Sequence, residues 1–339
     1  MASSDGDARS MRPELATLAA AQGGVFLRRQ ALAVGYSPDE MRLALRRQEW
    51  IRVRHGAYVE TQSYERLNED ERYRLLVRAV MLALDEPAVA SHQSASAMWE
   101  LPLWGTDLKR VHVTRRRDHG ARTQAGVKHH TATLPDEVCT TVRAVAVTSL
   151  ERTAVDVGRE YGFEAGVICA DAALRAGADA DRLRSVMQQL REWPGACAAA
   201  AAVAIADGGS ESPGESRSRV LVLEAGLPRP LLQPWIAHRS FTARVDMLIA
   251  SSDLIIEFDG RLKYERRTAI GESRLADADR VWAEKLREDQ LRELGFEVIR
   301  LVWADLDGAR RALAVRRLQE ASERGRRRAP SCQQYLLAS

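Results

Sequence analysis

Hydrophobic positions along the chain change period several times, and each change marks an element. From Arg12 to Gln22, apolar Leu15 and Leu18 recur at helical spacing until Gly23-Gly24 stops the run. Val25-Phe26 reads as a short extended piece, and Arg28–Val34 as a second short helix ended at Gly35. A third helix starts at Ser37-Pro38-Asp39-Glu40: Ser37 can cap free N–H groups, Pro38 suits the first turn, and Glu40 can close a capping box. It continues through MRLALRRQ, burying Met41, Ala44 and Leu45 and exposing Arg42, Arg46 and Arg47. Trp50–Val53 and Gly56–Val59 then alternate as a tight hairpin, which adds Arg52, Arg54 and His55. Three helices and a small hairpin over residues 11–60 predict a winged helix-turn-helix. Arginines on a helix end and a wing suit a major groove and its phosphates.

Residues 61–206 predict a mixed α/β middle domain. Tyr64–Leu84 and Ala88–Leu101 have helical spacing, Lys109–Thr114 and Val127–His130 alternate as strands, and Arg115–His119 is a basic loop. Thr148–Tyr161, Glu164–Ala176 and the alanine-rich Ala196–Ala206 read as helices. Asp207–Gly214, DGGSESPG, predicts a linker. Residues 215–323 then run helix, strand, strand, strand, helix, strand, helix: Glu215–Ala225, Leu231–Ala237, Thr242–Ala250, Leu254–Asp259, Asp277–Leu294, Glu297–Trp303 and Gly308–Glu323. Residues 1–10 and the basic stretch 324–339 read as disordered tails. The fold class is therefore an α+β or α/β multidomain chain.

Composition narrows the function classes. No apolar run approaches the ~20 residues of a membrane span, and the polar MASSDGDARS start has no signal-peptide pattern, so a cytoplasmic protein without a membrane partner is expected. The four cysteines form no CxxC pair, which argues against a zinc ribbon or a disulfide framework. Net charge is only +3, so binding to nucleic acid must come from local patches. His92, His129 and His130 have no carboxylate or cysteine at ligand spacing and read as packed or surface histidines.

The strongest chemistry lies in LIIEFDGRLKY, residues 254–264. Acids are costly at the end of a core strand. A two-residue turn at Ser251-Ser252, or a four-residue one at Ala250–Asp253, sets Asp246 directly opposite Glu257. Alternation turns Asp259 to the same face. Hard oxygen donors at this density suit Mg²⁺ or Mn²⁺, which could bind a phosphate oxygen and acidify an attacking water. Lys263 could steady charge on phosphorus, and Glu215 could enter from the preceding helix as a ligand or base. Lys285 and Asp289 stand four apart on a helix. Asp289 comes three after Leu286, which places it near the packed side and able to meet Arg300.

ARVDMLI, LIIEFDGRLKY and WAEKLREDQLRELGFEVIRLVW resemble the restriction-endonuclease-like PD-(D/E)XK superfamily, most of all the branch related to the very-short-patch-repair endonuclease. The resemblance implies a mixed four-stranded sheet flanked by helices, Mg²⁺-dependent phosphodiester cleavage, and Asp246 and Glu257 as metal-binding acids. The family's usual lysine two residues after the second acid is here Asp259, and Lys263 is the candidate substitute. GGVFLRRQALAVGYSPDEMRLALRRQEWIRVRHGAYV resembles the winged-helix domain of AbiE-type antitoxins, and SHQSASAMWELP and VTSLERTAVDV resemble the region beyond that domain in similar actinobacterial proteins. Together these imply a Mg²⁺-dependent endonuclease acting on double-stranded DNA in defence or repair. The alternative is a non-catalytic DNA-binding regulator of antitoxin type with a degenerate nuclease fold. Whether the chain forms a homodimer or meets a toxin partner stays open.

Overall fold

The structure, a computed structural model, describes residues 11–84, 86–115, 120–260, 274–328 and 332–337. Contacts divide the chain into two compact units, Met1–Cys169 with Ala178–Ala204, and Ala170–Gly177 with Ile205–Ser339. The N-terminal helices fall in the same unit as most of the middle region.

In the first unit, α1 (Pro13–Ala21), β1 (Val25–Leu27), α2 (Arg28–Ala33), α3 (Pro38–Arg46), β2 (Trp50–Arg54) and β3 (Ala57–Glu60) appear in the expected order. The strands form an antiparallel sheet, β1-β3-β2. Ser37 Oγ accepts from Glu40 N at 3.2 Å and Ser37 N donates to Glu40 Oε2 at 2.6 Å, closing the capping box that starts α3. Phe26 packs edge-to-face on Trp50 at 4.8 Å in a core with Leu15, Met41 and Tyr58.

The helix expected over Tyr64–Leu84 is two helices, α4 (Thr61–Glu65) and α5 (Glu69–Ala83). A second capping box, Asn68 with Glu71, starts α5 and ends the continuity. The helix expected from Ala88 begins instead as strand β4 (Val89–Ala90), with α6 (His92–Met98) after it. Then come β5 (Val111–Arg115), β6 (Arg122–Gln124), β7 (Val127–Thr131), β8 (Cys139–Val142) and β9 (Val145–Thr148). They complete a six-stranded sheet with order β6-β7-β5-β4-β9-β8. The next helices are α7 (Leu150–Tyr161), α8 (Phe163–Arg175), α9 (Ala180–Gln189) and α10 (Ala196–Ile205).

The second unit contains α11 (Pro213–Glu224), β10 (Leu231–Leu232), β11 (Trp235–His238), β12 (Phe241–Arg244), β13 (Met247–Ile249), β14 (Leu254–Asp259), α12 (Arg274–Glu293), β15 (Glu297–Val302) and α13 (Gly308–Arg327). A mixed four-stranded sheet has the order β10-β13-β14-β15, with β13–β14 antiparallel and β14–β15 parallel. Both faces are covered, as the unbroken apolar run Leu254–Ile256 requires. Ile256 packs with Leu221 and Leu318 on one side, and Ile255 with Leu248 and Leu291 on the other.

Two expectations change here. The expected linker is tied down: Asp207 N donates to Asp171 Oδ1 at 2.8 Å, and Ser210 is buried. Both carboxylate oxygens of Asp171 also accept from buried Arg219, at 2.7 and 2.6 Å. The basic stretch after Glu323 continues α13 as far as Arg327, with Arg324 and Arg328 paired to Glu297 at 2.7 and 3.0 Å. Among the described residues, no helix is long and apolar enough to cross a membrane.

Candidate functional site

The site grows from the register of β13 and β14. Met247 pairs with Ile256 and Ile249 with Leu254, leaving a four-residue loop, Ala250–Asp253, in which Asp253 takes a left-handed φ of 46°. One step beyond Met247↔Ile256, Asp246 stands opposite Glu257. Strand alternation puts Glu257 and Asp259 on the α12 side with Ile255, and Phe258 on the other side.

At Asp246 the ladder breaks. The strands expected over Leu231–Ala237 and Thr242–Ala250 each split, and β11 pairs with β12 as a separate hairpin. Gln233, with φ 53°, donates its backbone N–H to the Asp246 carbonyl at 2.9 Å. Asp246 Oδ2 accepts from Phe258 N at 2.8 Å. Gln233 Nε2 donates to Glu215 Oε2 at 2.9 Å, so Glu215 is tied to the same bend. Glu215 sits in the first turn of α11, where it also accepts from the Ser212 hydroxyl at 2.7 Å and from Glu211 N at 2.8 Å. Its neighbour Gly214 lies against the Phe258 ring: a Cβ there would stand 1.9 Å from a ring carbon.

Cations come from the other side. Arg287 on α12 donates to Glu257 Oε1 at 2.6 Å and to Glu284 Oε1 at 2.8 Å. Arg300 on β15 approaches Glu257 at 3.5 Å and pairs with Glu284 and, at 3.1 Å, with Glu288. Burial raises the pKa of Asp246, although the Phe258 N–H works against it. Burial likewise raises Glu257 against the pull of Arg287, and raises Glu215 against its hydrogen bonds, with the Asp246 charge adding to the rise. Glu284 is lowered, first by its hydrogen bond from Arg287.

Asp246 and Glu215 are thus brought together at the Gln233 bend, while the Glu257 carboxylate is held by Arg287 and Arg300, and the three acids do not form a close ligand group among the described residues. Asp259 instead lines an adjoining cleft of about 340 Å³ with Glu284, Lys285, Glu288, Asp289, Arg292 and Arg300. Lys263 lies outside the described residues. Asp289 is exposed, and Arg300 meets Glu284, Glu288 and Glu257 rather than Asp289. The inward face of α12 carries Glu284, Arg287, Glu288 and Leu291, an i, i+3, i+4, i+7 stripe, while Leu286 is 47% exposed. Gln233, Glu284 and Arg287 are additions to the expected ligand and catalytic set. Glu284 and Arg287 lie in WAEKLREDQ, part of the segment that carries the resemblance, and for Gln233 the sequence signal is the Gln233-Pro234 pair, where proline interrupts a strand ladder.

On the N-terminal arginine face, Arg46 and Arg52 are exposed and make no ion pair among the described residues. Arg42 is paired with Asp39 on its own helix, and Arg47 lies 3.9 Å from Glu49. Arg54 departs from the expected free wing position: it is half-buried, and desolvation lowers its pKa.

Residues 13–61, which span α1 to β3, match the family model described as "Transcriptional regulator, AbiEi antitoxin". This part of the chain is therefore similar to the DNA-binding regulator domain of that antitoxin family. The chain is also 29% identical over 166 residues to two uncharacterized proteins of Mycobacterium tuberculosis, one from strain CDC 1551 / Oshkosh and one from strain H37Rv. The matched region covers 48% of this chain and 57% of each relative, so the chain spans little more than half the length of the curated relatives it matches.

Proposed function

We propose that this protein is a Mg²⁺-dependent endodeoxyribonuclease whose winged-helix N-terminus positions double-stranded DNA. The observation that carries the reading is the facing pair Asp246 and Glu257 at the end of a core strand, both acids held above their usual pKa by burial. Asp246 lies one residue before β13, in register opposite Glu257, and burying acids at a strand end is costly unless something positive compensates them. Asp246, Glu257 and Glu215 offer the hard oxygen donors that Mg²⁺ takes, but among the described residues their carboxylates do not form a close three-ligand group and would have to draw together around an ion. Mg²⁺ or Mn²⁺ held by Asp246 and Glu257, with Asp259 nearby, would polarise a phosphate oxygen and lower the pKa of water.

The chain's own residues supply the rest. The Phe258 N–H and Gln233 fix Asp246 and Glu215, so both acids are oriented before substrate arrives. Burial raises the pKa of Glu215, which makes it a stronger base than an ordinary glutamate. Arg287 and Arg300 present guanidinium groups that can receive phosphate oxygens. Lys285, in the cleft with Asp259, takes the charge-steadying part assigned from sequence to Lys263. Arg46 and Arg52 would contact DNA phosphates from α3 and the β2–β3 hairpin.

A second reading has its own observation. Arg287 already occupies one oxygen of Glu257, and Asp259 stands where the family carries lysine. Those features favour a non-catalytic DNA-binding regulator of antitoxin type, for which a toxin protein is the natural class of partner. Metal-dependent DNA cleavage by the purified chain separates the two.

A further inference from the structure

Three histidines meet in the first unit, far along the sequence from the acids. Strands β5 and β7 pair in parallel, with His112 opposite Lys128 and Thr114 opposite His130. Alternation therefore puts His112 and His130 on one face, and His129 on the other. His92 opens α6, directly after β4, whose Ala90 pairs with Val113 of β5. One ring nitrogen of each of His92, His112 and His130 lies within 4.8 Å of the other two. His130 Nε2 stands 3.1 Å from His112 Nδ1, and the His92 and His130 rings stack at 3.9 Å.

We propose that His92, His112 and His130 bind a divalent transition-metal ion, Zn²⁺ first among them. Two imidazole nitrogens on one tetrahedral zinc are roughly 3.3 Å apart, given Zn–N bonds of about 2.0–2.1 Å. The 3.1 Å His112–His130 contact is a ring-to-ring hydrogen bond; an ion would take the place of its proton at nearly the same nitrogen–nitrogen spacing. The geometry has an outer partner of the kind that orients ligating imidazoles: Ser91 Oγ is 3.0 Å from His92 Nδ1 and accepts from the Thr114 hydroxyl at 2.8 Å. Ser91 also donates its backbone N–H to the His112 carbonyl at 3.1 Å. His92 has a left-handed φ of 53°, a strained conformation for a residue other than glycine, and such strain gathers at binding sites.

Charge and access agree with this assignment. Burial pushes His92, His112 and His130 in the direction that favours the neutral imidazole. The nearby Lys128 ammonium is paired with Glu160, and Arg152 and Arg159 share buried Asp156. His130 is only half-buried, which gives the ion a way in. Three nitrogen ligands leave the fourth tetrahedral position for water or another small ligand. The site owes nothing to the acids of the second unit, and its soft-to-borderline donors select a different class of metal.

The test uses the full chain, stripped with chelator and reloaded with Zn²⁺ or Co²⁺ alone, in wild type and in an Asp246→Asn/Glu257→Gln background. The expected result is one tightly held Zn²⁺ per chain in both, a rise in Tm on loading, and the visible absorption of four-coordinate Co²⁺. His130→Gln should lower Zn²⁺ affinity at least tenfold, whereas His129→Gln should leave it unchanged. Absence of a stoichiometric ion in wild type overturns the proposal, as does undiminished binding by a folded His130→Gln protein. The wild-type Co²⁺ spectrum decides the matter even if a histidine variant fails to fold: a six-coordinate spectrum, or none, counts against it.

Discussion

Asp246 Oδ2 accepts the backbone N–H of Phe258 at 2.8 Å, which ties the residue before β13 to β14 at the position after Glu257. Asp246→Ala leaves that half-buried N–H without its partner and should cost about 1–3 kcal/mol. Asp246→Asn keeps an acceptor and should cost much less. Chemical denaturation of the two variants without metal checks the difference.

The pH dependence comes from the direction of the shifts. Asp246, Glu257 and Glu215 all have folded pKa values raised by burial. Each ionised acid therefore destabilises the fold; the penalty is absent below its unfolded pKa and complete above its folded one. Metal-free Glu215→Gln should accordingly gain Tm relative to wild type at pH 7, and the gain should shrink towards zero as pH falls below about 4. A gain of equal size at both pH values would show that the charge is not responsible.

Arg287 joins Glu257 and Glu284. Arg287→Gln leaves two partly buried acids without their main cation. The loss should be about 1–3 kcal/mol, below the value for a fully buried pair because Arg287 is 27% exposed. Added Mn²⁺ should restore more Tm in this variant than it adds to wild type, since the ion no longer competes with a guanidinium. Thermal scans with a Mn²⁺ series measure this.

Arg46→Ala and Arg52→Ala should each weaken duplex binding across sequences, and each should flatten the plot of log affinity against log salt by about one unit. Arg54→Ala should instead lower Tm, since Arg54 is half-buried in the hairpin. Fluorescence anisotropy at several salt concentrations distinguishes the two behaviours.

Gly214→Ala places a methyl group against the Phe258 ring, where the ideal Cβ is 1.9 Å from a ring carbon. Overpacking should cost about 1–3 kcal/mol. It should also move Glu215, the next residue on α11. A Phe258→Leu partner substitution should recover part of the loss, which denaturation of the double variant reads directly.

Much of the local structure is legible in the sequence because short-range chemistry decides it. Ser37-Pro38-Asp39-Glu40 starts a helix by capping alone, and the β13–β14 register needs only a loop of even length. Asn68 and Glu71 carry the same kind of signal, which hydrophobic spacing alone overrides in favour of one long helix. The β8–β9 hairpin has no such signal. Its two turn residues, Arg143 and Ala144, both take positive φ, where asparagine or glycine would be usual. The phase of α12 is not readable from Leu286, which faces outward. Ionic contacts from Glu284 and Arg287 to β14 and β15 set that phase instead. The Gln233–Asp246 bend and the three-histidine cluster depend on long-range pairing, which residue spacing does not encode.

The most direct measurement is cleavage of supercoiled and linear duplex DNA by the purified full chain, with Mg²⁺ or Mn²⁺ and with chelator. Wild type, Asp246→Asn and Glu257→Gln are compared after confirming equal folding and equal DNA binding. The predicted result is metal-dependent nicking or cutting by wild type, reduced at least a hundredfold in each variant, about 2.7 kcal/mol of lost transition-state stabilisation. DNA bound equally by all three proteins and cut by none would contradict the nuclease reading and leave the regulator.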